Sequence, residues 1–138
     1  MEIDTHEVQG RVKVTVLQPK GELDGRTYQQ LIGKAQELYG AGARDMVLDL
    51  GEVRFLSSSG LVALHSIGRL LQGREILDPE AGWSALHTIE HEVSGKQPLN
   101  QHLKLVNPQP AVDKVLQMTG FKQAFEIYAG VEAAVAAF

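Results

Sequence analysis

Val12, Val14 and Val16 alternate with Arg11, Lys13 and Thr15, the two-residue period of a half-buried strand. Upstream, Glu2 to Val8 reads as a partner strand, with Gln9 and Gly10 as the hairpin turn. Pro19, Gly21 and Gly25 break the pattern. Thr27 then stands three residues before Gln30, a capping-box spacing. Behind it Tyr28, Leu31, Ile32, Ala35, Leu38 and Tyr39 fall on one helical face, stopped by Gly40 and Gly42. Met46 to Leu50 is a short apolar strand, followed by a serine-rich turn and a second helix through Leu61, Leu64, Ile67, Leu70 and Leu71. Residues 73–100 are polar and punctuated; within them Ala85, Leu86, Ile89 and Val93 suit one short amphipathic helix. Leu103 to Val106 is a strand. Pro108 and Pro110 suit the start of a third helix, which has Val112, Val115 and Leu116 inward and Gly120 at its end. Phe125 to Tyr128 is a last strand, and Val131, Ala134, Val135 and Phe138 a last helical face.

Strands that alternate with helices after a hairpin predict an α/β fold. The expected architecture is one domain over residues 1–138, interrupted by an insertion at about 73–100. Its mixed sheet has about four or five strands, antiparallel at the hairpin and parallel afterwards, packed against about four helices. At 138 residues the chain can bury a core unaided. Hydrophobic residues at 43% and charged residues at 22% fit an ordinary globular protein. A net charge of −4, with 13 scattered Lys and Arg, argues against a nucleic-acid partner. With no cysteine there is no disulfide framework and no thiolate chemistry. Met1 to Asp4 lacks the basic and apolar regions of a signal peptide, and no apolar run is long enough for a membrane span. The expected location is the cytoplasm, with no membrane partner.

The candidate chemistry gathers at Ser57, Ser58, Ser59, Gly60 and Leu61. A strand, a hydroxyl-rich turn and a helix start put these hydroxyls where free N–H groups and the helix dipole favour negative charge. Three uses fit that position: capping the helix, binding an anion, or carrying a covalent phosphate. Asp24, likewise, suits either a turn cap or an interface. Asp49, in mid-strand, suits a structural role on nearby backbone N–H groups.

In these stretches the chain resembles a STAS domain, the fold of bacterial anti-sigma factor antagonists. Gly21 to Asp24 resembles the family's Gly-x-Leu-Asp segment. Val47 to Leu50 through Ser59, Gly60 and Leu61 resembles its Leu-Asp-Leu and Asp-Ser-Ser-Gly-Leu core, with Ser57 where the family usually has Asp. Leu105 to Pro108, then Val115, Leu116, Thr119, Gly120 and Phe121, resembles its C-terminal strand and helix. The resemblance implies a non-enzymatic regulatory module with no cofactor and no metal. Its partner would be an anti-sigma factor serine kinase of the histidine-kinase-like ATPase fold. A phosphatase and a homodimer are further partners it allows. Ser59 would be the phosphoacceptor, ahead of Ser58 and Ser57, and Asp24 with Ser57 to Leu61 the partner-binding surface. Unphosphorylated, the family member holds its kinase and frees a sigma factor; phosphorylated, it lets go.

The alternative reading is a STAS-type scaffold in a signalling complex or beside a transporter, used without phosphorylation. Enzymatic readings are weaker. Ser59, His65 and Asp49 lack a nucleophile elbow, and a six-residue spacing puts Ser59 and His65 on different helix faces. His87, Glu90 and His91 match a His-x-x-Glu-His pattern of metal-dependent hydrolases, without an evident third ligand. Trp83 reads as a packing anchor of the inserted segment.

Overall fold

The opening hairpin pairs β1 (Glu2–Gln9) with β2 (Lys13–Leu23) antiparallel, from Glu2 opposite Lys20 to Gln9 opposite Lys13. The structure, a computed structural model, describes residues 1–74 and 100–138. The expected short helix at Ala85 to Val93, together with Trp83, His87, Glu90 and His91, lies outside the described residues. β2 runs through Pro19, where the sequence pattern marks a break. Pairing of β2 with β3 (Asp45–Asp49) ends at Leu17, and pairing with β4 (Val53–Leu56) begins at Gly21. Pro19 therefore sits where the strand has a neighbour on one side only, the setting in which a proline is tolerated.

The remaining elements are α1 (Tyr28–Gly40), α2 (Ser58–Leu71), β5 (Asn100–Val106), α3 (Pro110–Met118), β6 (Phe125–Tyr128) and α4 (Val131–Ala136). A 3-10 turn, Phe121–Gln123, precedes β6. The sheet order is β1-β2-β3-β5-β6, with β4 attached to β2. Every pairing after the hairpin is parallel. Among the described residues this makes six strands and four helices, the α/β architecture with a mixed sheet that the sequence implies. β4 is the strand the hydropathy pattern misses. Four residues with Arg54 and Phe55 outward carry too little alternation to register.

The central strands β2, β3 and β5 are buried on both faces, which explains their continuous apolar stretches, while β1 lies largely exposed. Leu17, Leu23, Met46, Leu48, Leu103 and Leu105 point to the side covered by α1, α2 and α3, and join Leu31, Ile32, Leu64, Ile67, Val112 and Leu116 in the main core. Val14, Val16, Val47 and Val106 point the other way, beneath Ala134 and Val135 of α4. At the hairpin turn, a Cβ on Gly10 would lie only 2.7 Å from Val135 Cγ1, so α4 rests directly on that turn. α2 is the central helix, buried along nearly its whole length from Gly60 to Gly68. Asn100 fastens it to the sheet: its amide donates to Gly68 O at 3.1 Å while its Oδ1 accepts from the N–H groups of His102 and Leu103. No helix among the described residues is long and apolar enough to cross a membrane.

A buried ammonium lies on the α4 side. Lys104 is 2% exposed. Its ammonium donates to Glu126 and sits 4.8 Å from the centre of the Phe138 ring. Tyr128 donates its hydroxyl proton to the other Glu126 oxygen at 2.9 Å. The Lys104 hydrogen bond holds the Glu126 carboxyl below its ordinary value of 4.5; partial burial opposes this and Tyr128 reinforces it. A carboxyl that titrates lower in the folded state contributes stability above about pH 4.5, and that contribution is lost as pH falls through the folded value. Glu126→Gln should therefore melt lower than wild type at neutral pH and show a shallower decline as pH falls below about 4.5. Parallel acid declines in the two proteins would show that the pair contributes nothing.

Candidate functional site

The last residue of β2 sets the geometry of the serine turn. Leu23 O accepts the Ser57 N–H at 3.0 Å and the Ser57 hydroxyl at 3.3 Å. Ser57 has extended backbone and caps α2, its Oγ accepting from Gly60 N–H at 3.3 Å. The helix then starts so close to β2 that only glycine fits at position 60. A Cβ there would stand 2.5 Å from Leu56 Cδ1 and 2.7 Å from Leu23 O. Gly60 and Leu61 are buried, Ser58 is exposed and Ser59 is half-buried. With the capping work done by Ser57, the Ser59 hydroxyl makes no hydrogen bond to a described residue. It faces Gly25, where an added Cβ would lie 3.7 Å from Ser59 Oγ.

The facing loop has its own local order. Asp24 Oδ1 accepts from Arg26 N–H at 2.9 Å, and Asp24 O accepts from the N–H groups of Thr27 and Tyr28. The Arg26 N–H is the main reason the Asp24 carboxyl titrates below its ordinary value; partial burial opposes, while the Arg26 guanidinium and Thr27 hydroxyl assist. Asp24 is thus an ionised cap on the turn that opens α1. The capping box expected of Thr27 and Gln30 does not form. Thr27 instead donates its hydroxyl to Glu22 O at 2.7 Å and accepts from Asp24 N–H at 3.0 Å, which ties the loop to the end of β2. Arg26 is 82% exposed and reaches Asp24 and Glu22 only at 3.4 and 3.5 Å. Such pairs are worth little and leave the guanidinium available.

The sequence-predicted residues Asp24, Ser57, Ser58, Ser59, Gly60 and Leu61 are therefore gathered at one end of the sheet. Two further residues stand there. Gly25 had registered only as a pattern breaker, and its value appears once α2 is opposite it. Phe55, 52% exposed and in register with Glu22, belongs to the missed β4. An aromatic two residues before a serine run was its only sequence signal.

Asp49 is structural. Its oxygens accept from Gly51 N–H at 2.9 Å, Gln18 Nε2 at 3.1 Å and Asn107 Nδ2 at 3.4 Å, tying the middle of β2 to the ends of β3 and β5. Strand alternation puts Asp49 on the Val47 side of the sheet, under α4, whereas Ser59 and His65 belong to α2 on the opposite side. No Ser59–His65–Asp49 triad can assemble. The His87, Glu90 and His91 pattern lies outside the described residues.

Residues 5–77, just over half the chain, match the family model of the STAS domain. No curated protein matches the chain in sequence. Among solved structures, an anti-sigma factor antagonist from Mycobacterium paratuberculosis aligns with a TM-score of 0.62 at 22% identity, over 99% of this chain and 93% of its own. A candidate anti-sigma factor antagonist from Thermotoga maritima aligns with a TM-score of 0.69 at 18% identity, over 96% of this chain and 90% of its own. The Bacillus cell fate determinant SpoIIAA, in its phosphorylated form, aligns with a TM-score of 0.57 at 20% identity, over 96% of each chain. At these identities the likeness is one of fold.

Two substitutions test the joint between β2 and α2. Ser57→Ala should cost about 1 kcal/mol, the usual worth of a serine cap, read as a lower urea midpoint. Gly60→Ala forces a methyl group against backbone and should cost roughly 1–3 kcal/mol. A Gly60→Ala midpoint equal to wild type would contradict the close approach.

Proposed function

Because the chain belongs to the STAS domain family, we propose that it is an anti-sigma factor antagonist, a non-enzymatic binding module switched by phosphorylation of Ser59. The observation that carries this reading is the division of labour at the start of α2. Ser57 caps the helix, and Ser59 keeps a half-buried hydroxyl with no hydrogen bond to a described residue, beside an open glycine. Ser57 also stands where the family usually has Asp. Both residues cap helices through a side-chain oxygen, so the exchange retains that role.

The partner in this reading is a serine kinase of the histidine-kinase-like ATPase fold, itself the anti-sigma factor, in the cytoplasm. It docks over Asp24 and Ser57 to Leu61, with residues 1–138 acting as one domain. In the transfer, Ser59 Oγ bonds to the γ-phosphorus of ATP, the bond to the bridging oxygen breaks, ADP leaves, and the hydroxyl proton passes to a kinase base or to water. The product carries about −1.5 to −2 charges. At a helix N-terminus the dipole accommodates that charge, so the fold survives. Under a docked protein the same charge must lose its water, and a penalty of a few kcal/mol lowers affinity by orders of magnitude.

Incubation with the anti-sigma factor kinase of the same cell and ATP should add one phosphate, mapped to Ser59 by mass spectrometry. Ser59→Asp should lose kinase binding while its melting temperature stays within about 2 °C of wild type. Tight binding by Ser59→Asp would refute the switch. A chain that takes no phosphate and elutes as a large homo-assembly would support the scaffold reading instead.

A further inference from the structure

Each glycine near the site has a different reason to be there. Gly60 is forced by collision with Leu56 and the Leu23 carbonyl, and Gly21 by a φ of +105°. Gly25 has neither reason. Its φ lies outside the left-handed range, and among the described residues beyond its two chain neighbours only Ser59 Oγ comes within 4 Å of a Cβ built on it, at 3.7 Å. That distance is ordinary contact with a bare hydroxyl. A phosphorus and its three further oxygens on the same atom would crowd that Cβ whenever they turn toward residue 25.

On the phosphoserine reading above, we propose that Gly25 is the residue that lets Ser59 carry a phosphate without cost to the fold. Its missing side chain is the clearance into which a phosphoryl group on Ser59 projects. The surroundings suit such an occupant. The Asp24 carboxylate, the nearest like charge along the chain, is already engaged by Arg26 N–H and turned into its own loop. Arg26, next in sequence to Gly25, keeps an exposed guanidinium on long, weak pairings and can re-pair with a phosphate. The clearance serves the reaction twice, admitting the γ-phosphorus to Ser59 Oγ and then housing the product.

The test places phosphoserine at position 59 during synthesis, by genetic encoding, so no kinase is needed. Melting temperatures are compared with and without the phosphate in the native chain, in Gly25→Ala and in Gly25→Val. In the native chain the two forms should melt within about 2 °C of each other. In Gly25→Val the phosphorylated form should melt at least about 5 °C below the same variant without phosphate, with Gly25→Ala intermediate. Equal melting of the two Gly25→Val forms would overturn the proposal. Should Gly25→Val fail to fold, the Gly25→Ala pair decides, with a drop of about 2 °C or more expected and no drop counting against it. Because the phosphate is built in, this result stands whether or not a cell phosphorylates Ser59. Protein recovered without phosphate after kinase treatment would count against the switch alone.

Discussion

The carbonyl of Leu23 is the point on which the site is built. It receives two hydrogen bonds from Ser57, one from the backbone and one from the hydroxyl, and the first turn of α2 lies against it because position 60 has no side chain. That contact fixes where the helix begins, and with it which serine caps and which faces outward. It also brings the loop after β2 across from the helix tip, so Gly25 meets Ser59. Moving the start of the helix by one residue would rotate each hydroxyl by about 100° and exchange their roles. Gly60 is thus a requirement of the site even though it takes no part in chemistry.

Behind the site, the two-sided sheet keeps the polar residues in separate compartments. Asp49 on the α4 side ties the ends of β3 and β5 to the middle of β2 by hydrogen bonds from Gly51, Gln18 and Asn107. Lys104 on the same side is paired with Glu126 and flanked by Tyr128 and Phe138. A buried ammonium without that carboxylate would carry a large desolvation cost. These groups stabilise the platform from the side of the sheet opposite α2 and its serine turn.

Much of this architecture was legible in the sequence because the signals were local and repeated. The valines at 14 and 16, the face from Tyr28 to Tyr39 and the apolar stretch after Ser59 each specify an element by periodicity alone. The serine end was legible too, since turn chemistry and helix start coincide there. What escaped notice depended on contacts between distant residues. β4 exists because Gly21 to Leu23 offer it an edge, and its own four residues carry almost no pattern. The capping box at Thr27 failed because Glu22 O and Asp24 N–H compete successfully for the same hydroxyl. Gly25 could not be interpreted until α2 was placed opposite it.

The rest of Gly10 beneath Val135 bears on how the chain folds. The tip of the opening hairpin finds its cover about 125 residues downstream, so the α4 side of the sheet is roofed by a contact of very high sequence separation. During synthesis Val14, Val16, Val47 and Val106 remain wet until α4 has left the ribosome. The serine-bearing side closes earlier, because the β5 and α3 residues that complete its core, Leu103, Leu105, Val112 and Leu116, all precede α4 in the chain. A nascent chain would therefore close its serine side while the opposite face of the sheet is still sticky, the face a chaperone would grip.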